Sequence, residues 1–193
     1  SSKPLCAIAD HGAAYYSSSQ YGNIYQYVNA TAQWYTVANG PATAEFVTPW
    51  MLDPVNSGTM YLAAGAQLER NSTLMDKGGS WENLAGCVAP SGTISAIAMS
   101  VIPSHRLYFG TSEGAVFRVD QADATPTVSQ ITSSSFPAGG FVSSIAVDPQ
   151  NADSIVVSFS NYHVISLFAS SDAGKTWRNI SGNLEQNPDG SGD

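Results

Sequence analysis

Runs of four to nine residues in which apolar side chains alternate with polar or small ones recur along the chain, most of them closed by Gly, Pro, Asn, Asp or Ser. Period-2 alternation of this length predicts half-buried β-strands. The runs fall into four groups of four: 5–10, 13–17, 23–28 and 33–37; 44–52, 59–64, 67–74 and 80–84; 94–99, 106–110, 115–119 and 128–131; 142–147, 154–159, 163–170 and 176–180. In the third run, NIYQYV, Tyr25 and Tyr27 alternate as expected of a sheet face that packs on a neighbour. Asp53 and Asp148 each precede a proline, a pairing that fixes φ and lets the carboxylate cap nearby backbone N–H groups, so both are expected to be turn residues.

The groups are copies of one unit. Trp34 and Trp81 are 47 residues apart, Trp81 and Trp177 are 96 apart, and a missing step of 48 falls on the strand-like run around Val128. A second ruler agrees, because TPWMLDP, SAIAMSVIP and SSIAVDP begin at Thr48, Ser95 and Ser143, 47 and then 48 residues apart. Self-similarity at this period, built from short strands, is the signature of propeller blades, each of which buries its faces only against its neighbours. The expected fold class is therefore all-β: a β-propeller of about four four-stranded antiparallel blades near 4–40, 41–88, 91–134 and 139–184, followed by a polar loop at 185–193. An opening on an inner strand and a stop after an outer one, at Ser1 and not Met, are expected of a trimmed piece of a larger propeller or of a ring completed by another chain.

The most regular feature is SSDAGKTW, in which Ser170, Asp172, Gly174, Thr176 and Trp177 follow the order Ser-x-Asp-x-Gly-x-Thr-Trp. Asp172 can accept from turn N–H groups, Gly174 can take positive φ, and Trp177 can enter the next strand facing a core. DKGGSW repeats that order at Asp76, Gly78 and Trp81, with Leu74 in place of the first Ser. Together with the preceding strands, these residues resemble a blade of the Asp-box (BNR-repeat) propellers, a superfamily of sialidases, sortilin-type receptors, xyloglucan-cleaving glycosidases and many secreted proteins. The resemblance covers 141–184 with an intact box and 45–86 with a degenerate one, and reaches the other two units by register alone. It implies a fold and leaves the function open.

Composition narrows the partners. With 7 basic against 15 acidic residues and a net charge of −8, no basic patch for nucleic acid or anionic lipid can be assembled, and no apolar run is long enough to insert in a membrane. Few charges, many hydroxyls and amides and 10% aromatics suit a secreted or cell-surface protein whose partner is a glycan or another extracellular protein. Cys6 and Cys87 are expected to be unpaired, Cys6 as a small core residue, and neither has the spacing of a metal site. No cofactor or metal is expected.

In such a fold, ligands lie over the channel mouth, on the face opposite the box turns. That face would carry Gln20, Tyr21, Gln67, Asn161, Tyr162 and His163 as binding candidates. A glycosidase would need two carboxyl groups roughly 5 to 10 Å apart, for which Glu45, Glu69 and Glu113 are the local candidates. A sialidase would need an arginine cluster, and Arg70, Arg106, Arg118 and Arg178 are scattered along the blades. The leading expectation is a non-catalytic scaffold binding glycan or protein, able to self-associate to complete the ring; the alternative is part of a glycoside hydrolase acting on polysaccharide or glycoconjugate.

Overall fold

The computed structural model describes residues 5–184 and 187. The loop expected at 185–193 lies outside the described residues apart from Asn187. The strands form four antiparallel sheets, each in sequence order. Sheet one contains β1 (Cys6–Ala9), β2 (Ala14–Ser18), β3 (Ile24–Val28) and β4 (Gln33–Ala38). Sheet two contains β5 (Trp50–Leu52), β6 (Met60–Ala64), β7 (Gln67–Asn71) and β8 (Glu82–Val88). In sheet three β9 (Ile94–Met99), β10 (Leu107–Thr111), β11 (Val116–Asp120) and β12 (Thr127–Gln130) follow, and in sheet four β13 (Val142–Asp148), β14 (Asn151–Phe159), β15 (Leu167–Ser170) and β16 (Arg178–Asn179). This is the all-β architecture of a partial β-propeller.

Burial follows from the repeat. The second strands of sheets two and three have a neighbouring sheet on each side, so β6 (MYLAA) and β10 (LYFGT) are almost continuously buried. Met60 and Leu62 join the core shared with sheet one, whereas Tyr61 and Ala63 join the core shared with sheet three. The sheet-three side of that second core holds Phe109 stacked on Phe117, ring centroids 4.7 Å apart. Between sheets three and four, Tyr108 is buried with Ile155, Val157 and Phe168, and its hydroxyl donates to Ala152 O at 2.7 Å. Three inter-sheet cores thus join four sheets.

Four local expectations are corrected. The inner strand of sheet two is confined to Trp50–Leu52; before it the chain turns, with Ala44 N donating to Pro41 O at 2.9 Å and Thr48 Oγ1 to Glu45 O at 2.7 Å, because Pro and Thr there close the backbone on itself. β15 begins at Leu167 and not at His163, whose φ of 58° ends any extended run. The buried thiol is Cys87, in β8, where burial pushes its pKa up to about 11; Cys6 is exposed, and both are free. Tyr25 is exposed and Tyr27 half-buried, on the side of sheet one away from sheet two.

Candidate functional site

The two ends of the sheets differ in chemistry. At the end bearing the third-to-fourth strand turns, polar groups are engaged with each other. In the turn 170–177, Ser170 Oγ donates to Asp172 Oδ1 at 2.7 Å and accepts from Gly174 N at 2.9 Å. Asp172 Oδ1 also accepts from Thr176 N at 2.9 Å and Oδ2 from Thr176 Oγ1 at 2.6 Å. Those bonds, led by the Thr176 hydroxyl and N–H, hold the Asp172 carboxyl down at about 2. Gly174 sits at φ +84°, and a Cβ there would come within 2.5 Å of Ile131 Cδ1. The Trp177 indole N–H donates to Ile131 O of the preceding sheet at 2.9 Å while its ring meets Phe136 edge-on.

The turn of sheet two reaches the same result by other side chains. Asn71, buried, accepts from Thr73 N at 3.0 Å and donates to Gly78 O at 2.8 Å, and Thr73 Oγ1 accepts from Ser80 N. Asp76 supplies its backbone N–H to Thr73 O. Trp81 then donates to Val37 O of sheet one at 2.8 Å, as Trp177 does to sheet three. Asp53 caps Val55 N and Asn56 N and pairs with His105 Nδ1 of sheet three at 2.9 Å. Arg106 and Arg118 both bind Asp120, Arg106 also reaches Asp153, and Arg70 pairs with Glu82 and donates to Ala122 O. Arg70, Arg106 and His105 thereby cross-link neighbouring sheets, whereas Arg118 pairs within its own strand.

The opposite end holds a cavity of about 430 Å³ where the inner strands converge, within the range of small-molecule sites. Leu5, Phe46, Trp50, Ile97 and Phe141 give it an apolar wall, and Glu45, Ser95, Ser143 and Ser144 give it polar groups. Trp50 is only 7% exposed, and its indole N–H has no hydrogen-bond partner among the described residues. Gln26 Oε1 and Tyr61 Oη, which lie away from the cavity, are buried and unpaired in the same way. Glu45 accepts from the Thr93 hydroxyl, and Thr93 N donates to Ser112 Oγ at 3.1 Å, which ties the wall to the loop carrying Glu113.

The sequence candidates divide accordingly. Tyr21, at φ 58°, stacks edge-on against Phe46 with centroids 5.4 Å apart and so frames the cavity rim; neighbouring Gln20 lies in the same exposed turn. Asn161 accepts from Phe141 N and fixes that wall residue. Gln67 is taken up by backbone, donating to Leu68 O, Leu84 O and Cys87 O. Tyr162 and His163 are exposed on the β14–β15 loop. Of the three glutamates, only Glu45 lines the cavity. Glu69 pairs with Leu62 across β6 and β7, on the face toward sheet one, where burial raises its carboxyl above the usual range. Trp50 and Phe141 were not among the candidates. Trp50 opens β5 and Phe141 immediately precedes β13, places where an apolar residue reads as core.

Among the described residues, no group of three or more His, Cys, Asp or Glu is placed to hold a metal ion, and no helix is long and apolar enough to cross a membrane.

No protein-family model matches the chain, and no curated protein matches it. Among solved structures, it is similar to a GH74 xyloglucanase from Xanthomonas campestris, with a TM-score of 0.67 at 19% identity over 89% of this chain and 29% of that one. It is also similar to the extracellular domain of a hybrid two-component system from B. thetaiotaomicron, with a TM-score of 0.63 at 14% identity over 93% of this chain and 22% of that one. The chain thus spans less than a third of either, and at these identities the likeness shows a common propeller-like β fold.

Proposed function

We propose that the chain is part of an extracellular propeller of the Asp-box kind that binds a neutral glycan in the cavity at the inner-strand end, without catalysis of its own. The observation that carries this reading is the cavity wall itself: aromatic side chains at Phe46, Trp50 and Phe141 beside hydroxyls at Ser95, Ser143 and Ser144. Sugars present apolar C–H faces and many hydroxyl acceptors, which is what such a wall can use. The low charge and the extracellular setting of one structural neighbour support the same reading. The turn at 170–177 supports the Asp-box assignment, since its Ser, Asp and Thr bond one another and its Trp locks the previous sheet.

The second reading, part of a glycoside hydrolase, is favoured by Glu45 on the wall, by its link through Thr93 to the Glu113 loop, and by the name of the other neighbour. A native mass spectrum after incubation with a pool of neutral oligosaccharides separates the two. The expected result is an intact sugar retained on the chain. Shortened sugars would move the assignment to the hydrolase, and a spectrum with neither adduct nor product would reject a glycan ligand.

A further inference from the structure

The grooves between successive sheets can be compared at their outer strands. Arg70 on β7 stands two residues beyond Leu68, which is buried in the core shared by sheets two and three. Arg118 on β11, 48 residues later, stands two beyond Val116, which is buried in the core shared by sheets three and four. Alternation along a strand therefore turns each arginine toward the sheet that follows. Arg70 is satisfied from within the chain. Glu82, directly across from it on β8, accepts from Nε at 2.9 Å, and Ala122 O and Ala124 O of sheet three accept from Nη1 at 2.6 and 3.2 Å.

Arg118 has neither the acid across the strand nor the carbonyls of the next sheet. Ser129 on β12 stands opposite it where Glu82 stands opposite Arg70, and among the described residues no hydrogen bond joins it to sheet four. Its bond runs from Nε to Asp120 Oδ2 at 2.9 Å, and Asp120 carries Arg106 on its other oxygen, so two guanidinium groups share one carboxylate. Sheet four presents the turn at 170–177, whose Ser, Asp and Thr bond one another, and a cavity of about 400 Å³ remains between that turn and the outer strands of sheet three. Arg118 and Lys175 line it with Ser129, Gln130, Thr132 and Trp177, and no lining residue is acidic. In a chain with 7 basic against 15 acidic residues, two cations on one cavity without a carboxylate leave its charge unbalanced. The volume suits a small molecule, and the hydroxyl and amide side chains suit a polyhydroxylated one.

We infer that this cavity binds an acidic sugar, whose carboxylate takes beside Arg118 and Lys175 the place that Glu82 takes beside Arg70. Charge-assisted bonds from the guanidinium and the ammonium hold the carboxylate, and Ser129, Gln130 and Thr132 meet the ring hydroxyls. The site lies between sheets three and four, apart from the inner-strand cavity, and stands independently of the neutral glycan proposed there.

Titration of the chain with glucuronate, glucose and acetate at low ionic strength, followed by backbone amide shifts in two-dimensional NMR, tests it. The expected result is saturable binding of glucuronate with shifts concentrated in residues 129–133 and 173–177, and no such shifts with glucose. Lys175→Glu, at an exposed position, should weaken glucuronate at least about tenfold. Ser129→Glu restores the cross-strand acid found opposite Arg70; it should abolish binding while leaving the melting midpoint unchanged or higher, which separates a filled site from an unfolded one. No shift in these segments up to about 50 mM glucuronate would overturn the proposal. So would glucose binding as tightly as glucuronate, glucuronate affinity indifferent to both substitutions, or acetate matching glucuronate, which would make the site one for an adventitious ion only.

Discussion

Two tryptophans of the same chain show how its two ends differ. Trp177 gives its N–H to Ile131 O and its ring to Phe136; Trp50 lies on the cavity wall with its N–H unmatched. At the turn end, Ser170, Asp172, Asn71, Asp53 and Arg106 each find partners within the chain, so their bonds stabilise the turns and the stack of sheets. At the cavity end, the wall carries the aromatic side chains of Phe46, Trp50 and Phe141 beside serine hydroxyls. Polar groups that are fully satisfied rigidify a fold, whereas those left open mark where a partner is expected.

The largest effect should come from truncating the turn-end staple. Trp177→Ala removes a packed indole and strands a carbonyl, and should destabilise the chain by about 3–5 kcal/mol, read by chemical denaturation. Asp53→Ala should follow, at about 2–3 kcal/mol, because it leaves the N–H groups of Val55 and Asn56 and the His105 ring without their buried acceptor. Neither should change ligand affinity in the fraction that remains folded; a large affinity loss would erase the distinction between the ends.

Asp172→Ala should lower the melting midpoint at neutral pH by about 2–4 °C, the size of losing one side-chain cap in a chain of this length. Its pH dependence has a definite sign. The carboxyl is held at about 2 in the fold against 3.8 ordinarily, so its stabilisation is complete above the ordinary value and disappears as pH falls toward 2. Melting curves of the wild type and the variant should converge over that interval; a gap that persists at pH 2 would mean that the carboxylate is not the source.

Much of this architecture was legible in the sequence, because a strand packed on one side writes its alternation into the chain and a stacked unit repeats that writing every 47 or 48 residues. The strand pairing of the four units, the turn at 170–177 and the tryptophan rulers all follow from it. What stayed hidden depends on partners far away in sequence. Gln26 is fully buried because Tyr16 Oη and Leu74 O accept from it, and His105 is fixed by an aspartate 52 positions earlier. Tyr25 and Trp34 look the same in sequence whether or not a neighbour covers them. The cavity was invisible for a related reason: an aromatic residue that opens an inner strand reads as core, and only convergence of several sheets shows that it lines a space.

The smallest stability effect and the most informative one belong to a matched pair, Trp50→Phe and Trp177→Phe. Both remove the same atoms, but only the second breaks a hydrogen bond, so it should cost about 1–2 kcal/mol more. The decisive measurement is a calorimetric titration of each folded variant with the oligosaccharide retained by the wild type. The account predicts at least a tenfold weaker affinity, about 1.4 kcal/mol, for Trp50→Phe and wild-type affinity for Trp177→Phe. Equal binding by Trp50→Phe and the wild type would contradict it and remove the cavity from the function of this protein.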